Sequence, residues 1–113
     1  MIVFKKIATV FFFFTLIFSQ SSTAIDSQSL FLQAMRFERS GDILKAKDIY
    51  SKILNNQPTH QPSFFQLKNI YSKNNDLESG IELIRVWLKN NPMDHQSTLS
   101  LGEFYYKNQE KIK

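Results

Sequence analysis

The chain contains no cysteine, only three glycines and three prolines, and a single tryptophan among its 113 residues. Without cysteine, neither a disulfide nor a lipid-modified cysteine can form. So few glycines leave no glycine-rich phosphate-binding loop, and no serine lies in a Gly-x-Ser-x-Gly motif. These absences argue against the common catalytic architectures.

Histidines are also scarce, and they are poorly placed to bind a metal. His60 and His95 are 35 residues apart, with no His-x-x-x-His pair and no Glu-rich ligand spacing around them. We expect both to be solvated loop residues. The sequence therefore predicts no catalytic residue, no metal site and no cofactor, and the protein is not expected to be an enzyme.

Basic residues outnumber acidic ones, but no block of Lys and Arg occurs. Lys5 and Lys6 are two of the 14 basic residues, and without them the formal net charge falls from +4 to +2. The remaining charges are mixed in sign along the chain. A nucleic-acid partner is therefore not expected.

Residues 1–24 have the order of a secretory signal peptide. Lys5 and Lys6 precede an apolar run at residues 7–18, and the small residues Ser22 and Ala24 follow it. The run is shorter than the roughly 20 apolar residues that a membrane span needs. We predict that residues 1–24 are cleaved and that the protein is exported, periplasmic or secreted, without stable membrane insertion. The alternative is a membrane anchor formed by uncleaved residues 7–18.

The rest of the chain repeats itself with a period of 34 residues. Residues 54–58 read LNNQP, and residues 88–92 read LKNNP. Apolar residues recur at helical spacing in each unit, and the pattern is interrupted at Gly41-Asp42 in the first unit and at Asn75-Asp76 in the second. Each full unit is therefore predicted to be two amphipathic helices.

The interruptions have the residue types found at helix ends. Gly41 and Asn75 tolerate the left-handed conformation that closes a helix, and Asp42 and Asp76 can accept backbone N–H bonds that begin the next one. Pro62 suits the first turn of a helix. The sequence thus predicts antiparallel helix pairs.

This pattern resembles the tetratricopeptide repeat family, which has the same period and the same order of features. The resemblance is carried by Leu30, Ala34, Phe37, Gly41, Asp42, Ala46, Tyr50 and Pro58, then by Phe64, Leu67, Tyr71, Asp76, Gly80 and Pro92, and finally by Leu101, Gly102 and Tyr105. It implies an all-α fold over residues 25–113, a short right-handed α-solenoid of five helices. Its repeats would be 27–60, 61–94 and a partial repeat 95–113.

Gln33, Ile53, Lys68 and Trp87 depart from the family pattern, and the last two bear on the packing of the helices. Lys68 takes a position that usually holds a small residue at a close helix crossing, so we expect its stem to pack while its amine reaches water. Trp87 is larger than the usual residue and needs room. Gly102, one unit further along, is predicted to provide that room.

The resemblance also implies a concave groove, lined by the first helix of each pair, that binds an extended peptide or a partner helix. The groove candidates are Phe31, Leu32, Met35, Phe65, Asn69, Leu99 and Glu103. Phe31, Phe65 and Leu99 are predicted to form an exposed apolar row; the alternative is that the aromatic residues pack between adjacent first helices. Positions where some family members bind a terminal carboxylate hold Phe31, Met35 and Gln66 here, so apolar and backbone contacts are expected instead.

The third unit has no second helix within the sequence, so Leu101, Phe104 and Tyr105 are predicted to form an exposed terminal interface. A partner protein or a second copy of the chain would cover it. The leading hypothesis is an exported adaptor or assembly factor, and the alternative is a self-associating or truncated repeat module without its own ligand.

Overall fold

The computed structural model describes residues 26–113, so the predicted signal peptide lies outside the described residues. Within residues 26–113 the chain forms five α-helices and no strand. The helices are α1 (Ser27–Arg39), α2 (Ile43–Asn56), α3 (Gln61–Lys73), α4 (Leu77–Asn90) and α5 (His95–Ile112). Each helix packs against the next one in the chain, which is the arrangement of a helical solenoid. The prediction of an all-α fold with five helices is confirmed.

The helices begin with side chains that accept a hydrogen bond from the backbone N–H three residues later. Aspartate does this at four of the five helices, namely at Asp26, Asp42, Asp76 and Asp94. Such caps satisfy N–H groups that have no partner inside the helix and typically stabilise it by about 1 kcal/mol. The caps predicted at Asp42 and Asp76 are confirmed.

His60 caps α3, so the prediction that it is a solvated loop residue is wrong. Its Nδ1 atom accepts the backbone N–H of Ser63 at 3.3 Å and lies 2.8 Å from the Ser63 hydroxyl. Its ring also packs against Phe31, with 5.8 Å between the ring centroids. The repeat period predicts a cap here, because Asp26 and Asp94 lie 34 residues before and after it. His95, by contrast, is an exposed residue in the first turn of α5.

The turns inside the two full repeats close in the same way. Gly41 has a φ of 86° and Asn75 a φ of 55°, so both lie in the left-handed region, as predicted. The backbone N–H of Asp42 donates to the Phe37 carbonyl at 2.9 Å, and that of Asp76 donates to the Tyr71 carbonyl at 2.9 Å. This hydrogen bond satisfies carbonyl groups at the helix end and turns the chain into the next helix.

Two apolar clusters hold the helices together. The first core joins α1, α2 and α3 and contains Ala34, Ala46, Tyr50, Leu67 and Ile70. The second core joins α3, α4 and α5 and contains Phe64, Leu77, Ile81, Ile84, Trp87 and Phe104. Burial of this surface is the main favourable term in folding.

Tyr50 is the largest side chain buried completely, and its polar end is satisfied. Its hydroxyl donates a hydrogen bond to Glu38 Oε2 at 2.8 Å. Burial raises the pKa of Tyr50, and the hydrogen bond to Glu38 raises it further. The phenol therefore stays neutral and joins the middle of α2 to the end of α1.

The close contact in the second core is between Gly80 of α4 and Phe104 of α5. A Cβ atom added at Gly80 would collide with the Phe104 ring, whereas a Cβ atom at Gly102 would meet nothing within 4 Å. The prediction that Gly102 makes room for Trp87 is therefore wrong. Trp87 instead stacks on Phe64, with 4.2 Å between ring centroids and 9° between ring planes.

These two glycines provide a matched pair of substitutions. We expect Gly80→Ala to destabilise the protein by about 1–3 kcal/mol, because the Phe104 ring must move out of a packed core. Gly102→Ala adds a methyl group in open space on a helix, where alanine is favoured over glycine by about 0.8–1 kcal/mol, and should stabilise the protein. Urea unfolding followed by circular dichroism measures both. A Gly80→Ala variant as stable as the native chain would contradict the close contact.

Candidate functional site

Exposed apolar side chains occur on each of the three odd-numbered helices. Leu32 of α1 is 47% exposed, Phe65 of α3 is 53% exposed and Leu99 of α5 is 65% exposed. Of the other groove candidates, Met35 and Asn69 are half-buried and Glu103 is exposed. We call the surface made by these six residues the odd-helix face.

Phe31 belongs mainly to the packing between helices. It is half-buried, and its ring lies 5.7 Å from the Tyr50 ring and 5.8 Å from the His60 ring, measured between centroids. Phe31 thus follows the alternative prediction, in which the aromatic residue packs between helices. Phe65, at the same repeat position, is more exposed. Of the predicted apolar row, Phe65 and Leu99 are exposed, whereas Phe31 is half-buried.

Lys68 lies beside Phe65 and connects α3 with α5. Its ammonium group is 4.8 Å from the centroid of the Phe65 ring and 5.6 Å from that of Phe64. It also donates a hydrogen bond to the Ser100 hydroxyl at 3.4 Å. The residue is half-buried, and aromatic faces attract cations. The amine that was expected to reach water thus lies against two rings and a neighbouring helix.

The start of α5 is held by a network around Asp94. Asp94 Oδ1 accepts the backbone N–H of Ser97 at 3.1 Å, and Oδ2 accepts the Ser97 hydroxyl at 2.7 Å and Trp87 Nε1–H at 2.8 Å. The hydrogen bonds from Ser97 and then from Trp87 lower the pKa of Asp94, and the positive charge of Lys68 adds to the shift. One carboxylate thus links Trp87 of α4 to the first turn of α5.

We expect Asp94→Asn to cost roughly 1 kcal/mol of stability at neutral pH, because the amide NH₂ replaces an oxygen that accepts two hydrogen bonds. Because the pKa of Asp94 is lowered by folding, its contribution is complete above the ordinary carboxyl pKa and is lost as the pH falls through the lowered value. The difference in unfolding free energy between the native chain and Asp94→Asn should therefore narrow below about pH 4. Unfolding followed by Trp87 fluorescence measures it.

Asp76→Asn is the matched control for that comparison. Asp76 caps α4 through the Ser79 N–H at 3.4 Å, and asparagine caps a helix about as well as aspartate. We expect little loss of stability from this change. Equal losses in Asp94→Asn and Asp76→Asn would show that the Trp87 contact contributes nothing.

A second apolar surface, a groove, lies between α2 and α4. Its volume is about 380 Å³. It is lined by Ser51, Leu54, Asn55, Pro58, Leu67, Tyr71, Ser79, Glu82, Leu83, Val86, Trp87 and Asn90. We call it the α2–α4 groove. No sequence signal marks it, since the repeat counterpart of Val86 is Lys52, a charged residue.

The predicted terminal interface is only partly exposed. Phe104 is 6% exposed and belongs to the second core, so its assignment to an exposed surface is wrong. Leu101 is half-buried against the same core, and Tyr105 is 47% exposed. The exposed part of this helix instead forms a shallow pocket lined by Gly102, Tyr105, Tyr106, Asn108, Gln109 and Ile112.

Other kinds of site find no support in the part of the chain that the structure describes. There is no group of three or more His, Asp or Glu side chains arranged to hold a metal ion among residues 26–113. None of the five described helices has the length and hydropathy to span a membrane. Comparison of the chain with protein-family models and with curated proteins finds no match. The resemblance to tetratricopeptide repeats therefore rests on the residues of this chain.

Proposed function

We propose that residues 26–113 form a non-catalytic protein-interaction module of the tetratricopeptide repeat type, which binds a peptide or a partner helix on the odd-helix face. The observation that carries this proposal is the exposure of Leu32, Phe65 and Leu99 on three successive odd-numbered helices. Exposed apolar surface of this kind often marks a binding site. Together with the signal-like residues 1–24, it favours an exported adaptor or assembly factor.

The odd-helix face is favoured over the α2–α4 groove because it has more apolar surface to bury. Among the large apolar residues lining that groove, Val86 is the exposed one, at 46%. Leu67 and Trp87, also in its lining, are already buried in the protein core. Burial stabilises a complex in proportion to the apolar area removed from water, about 25 cal/mol per Å², so the face with three exposed residues gains more.

Self-association is the second candidate function, and the surface of α5 favours it. Tyr105, Tyr106 and Ile112 are exposed there, and Gly102 leaves the helix backbone open to close approach. The pocket that these residues line contains no charged side chain. Two copies of α5 could therefore pack there with uncharged side chains in the contact.

The proposal is tested by crosslinking in intact cells, with a C-terminally tagged chain and mass spectrometry of the crosslinked proteins. We expect a partner that is captured by the native chain and lost when Phe65→Glu and Leu99→Glu are combined, because each change places a charge in an apolar contact. Both side chains are more than half exposed, so the fold should be kept, as thermal unfolding will verify.

Val86→Glu is the matched control, since it places the same charge in the α2–α4 groove. The partner should still be captured by this variant. Loss of the partner with Val86→Glu alone would move the binding site to the α2–α4 groove. Capture of only the chain itself, abolished by Tyr105→Glu and Ile112→Glu, would replace the proposal with self-association.

A further inference from the structure

Lys68, which lies beside Phe65 of the odd-helix face, is the residue there that the repeat pattern explains least. Its counterparts 34 residues before and after are Ala34 and Gly102, both small. Ala34 is completely buried. The same position on α3 thus carries a long cation where the repeat elsewhere carries almost no side chain.

The ammonium group of Lys68 has no carboxylate partner within the described residues. The ion pairs found in residues 26–113 are Lys45 with Asp42 and Lys113 with Glu110. The hydrogen bond that the structure gives to the Lys68 amine goes to the Ser100 hydroxyl, at 3.4 Å. Since an ammonium group carries three N–H donors, donor capacity remains for a further acceptor.

Asp94 is close enough to interact with Lys68, but its oxygens already have partners. Its charge interacts with that of Lys68, yet Oδ1 accepts from the Ser97 backbone and Oδ2 accepts from Ser97 and Trp87. This carboxylate is committed to the junction between α4 and α5. Asp94 therefore does not serve as a direct ion-pair partner for Lys68.

The surroundings make this cation a stronger partner than an exposed lysine. Its amine lies against the Phe64 and Phe65 rings, and partial burial lowers the local dielectric constant. An ion pair gains more in such surroundings than at a fully exposed site, where it typically contributes 0–1 kcal/mol. An arriving acid group would therefore find a cation that is already held against the protein surface by two aromatic rings.

We propose that the partner of the odd-helix face is an acidic-apolar peptide segment, in which an aspartate or glutamate side chain lies between apolar residues. Its carboxylate would accept a hydrogen bond from Lys68 Nζ, while its apolar neighbours contact Phe65 and Leu99. This inference rests on the proposed function and names the class of partner.

A side-chain carboxylate fits this position better than a chain terminus. In the chain of helix contacts, α3 lies between α1 and α5, and Leu32 and Leu99 are exposed on those two outer helices. A segment that contacts all three helices passes Lys68 in its middle. A terminal carboxylate at Lys68 would end the segment there and leave one of the outer helices without a contact.

The test uses the full chain and a library of random peptides with acetylated and amidated ends. Peptides that bind are synthesised in two forms, with the acidic residue as Glu and as Gln, and their Kd values are measured by fluorescence anisotropy. We expect the Glu form to bind about tenfold more tightly to the native chain, since a hydrogen bond to a charged group is worth about that factor. The difference should vanish in Lys68→Gln and persist in Lys68→Arg.

The outcomes separate the two proposals. If no peptide binds, or if Phe65→Ser and Leu99→Ser leave binding unchanged, the proposed function itself is overturned. If those two changes weaken binding but the Glu and Gln peptides bind the native chain equally, only the role of Lys68 is overturned. A preference for free over amidated C-termini in peptides without Asp or Glu would replace the side-chain carboxylate with a chain terminus.

Discussion

The approach of α5 to α4 is the contact on which the surface of this protein depends. Phe104 enters the second core where Gly80 has no side chain, and this contact constrains the rotation of α5 about its axis. The rotation in turn leaves Leu99 exposed and turns Ser100 inward. A single missing methyl group on α4 thus influences which residues of α5 face solvent.

The helix pairs could be predicted from the sequence because their signals are local. The contacts between helices could not be predicted in this way. Gly41, Asn75 and the capping aspartates act on the chain within a few residues, so their roles follow from residue type and spacing. Phe104 and Gly102 lie on one helix, two residues apart, and their different burial depends on how α5 meets α4. The repeat pattern assigned the close contact to Gly102, but the ring of Phe104 occupies the space at Gly80 instead.

On the odd-helix face, too, the exposure of single residues depends on contacts that the repeat pattern does not predict. Phe31 and Phe65 are equivalent in the repeat, yet only Phe65 is mostly exposed. Phe31 packs against Tyr50 and His60, whose counterparts one unit later are Ile84 and Asp94. An aliphatic side chain and a carboxylate already bonded to Trp87 give Phe65 no aromatic neighbours equivalent to those of Phe31. The 34-residue spacing therefore predicts that Phe31 and Phe65 lie on the same side of their helices. It does not determine how much of each side chain is exposed.

Departures from a repeat carry more information about binding than agreements with it. Residues that keep the pattern, such as Ala34 and Ala46, are buried and serve the packing of helices. Lys68 breaks the pattern, and its ammonium group has no ion-pair partner within the described residues. Local inconsistencies of this kind tend to occur where a protein binds something. A carboxylate from a partner would supply the attraction that the fold itself does not provide.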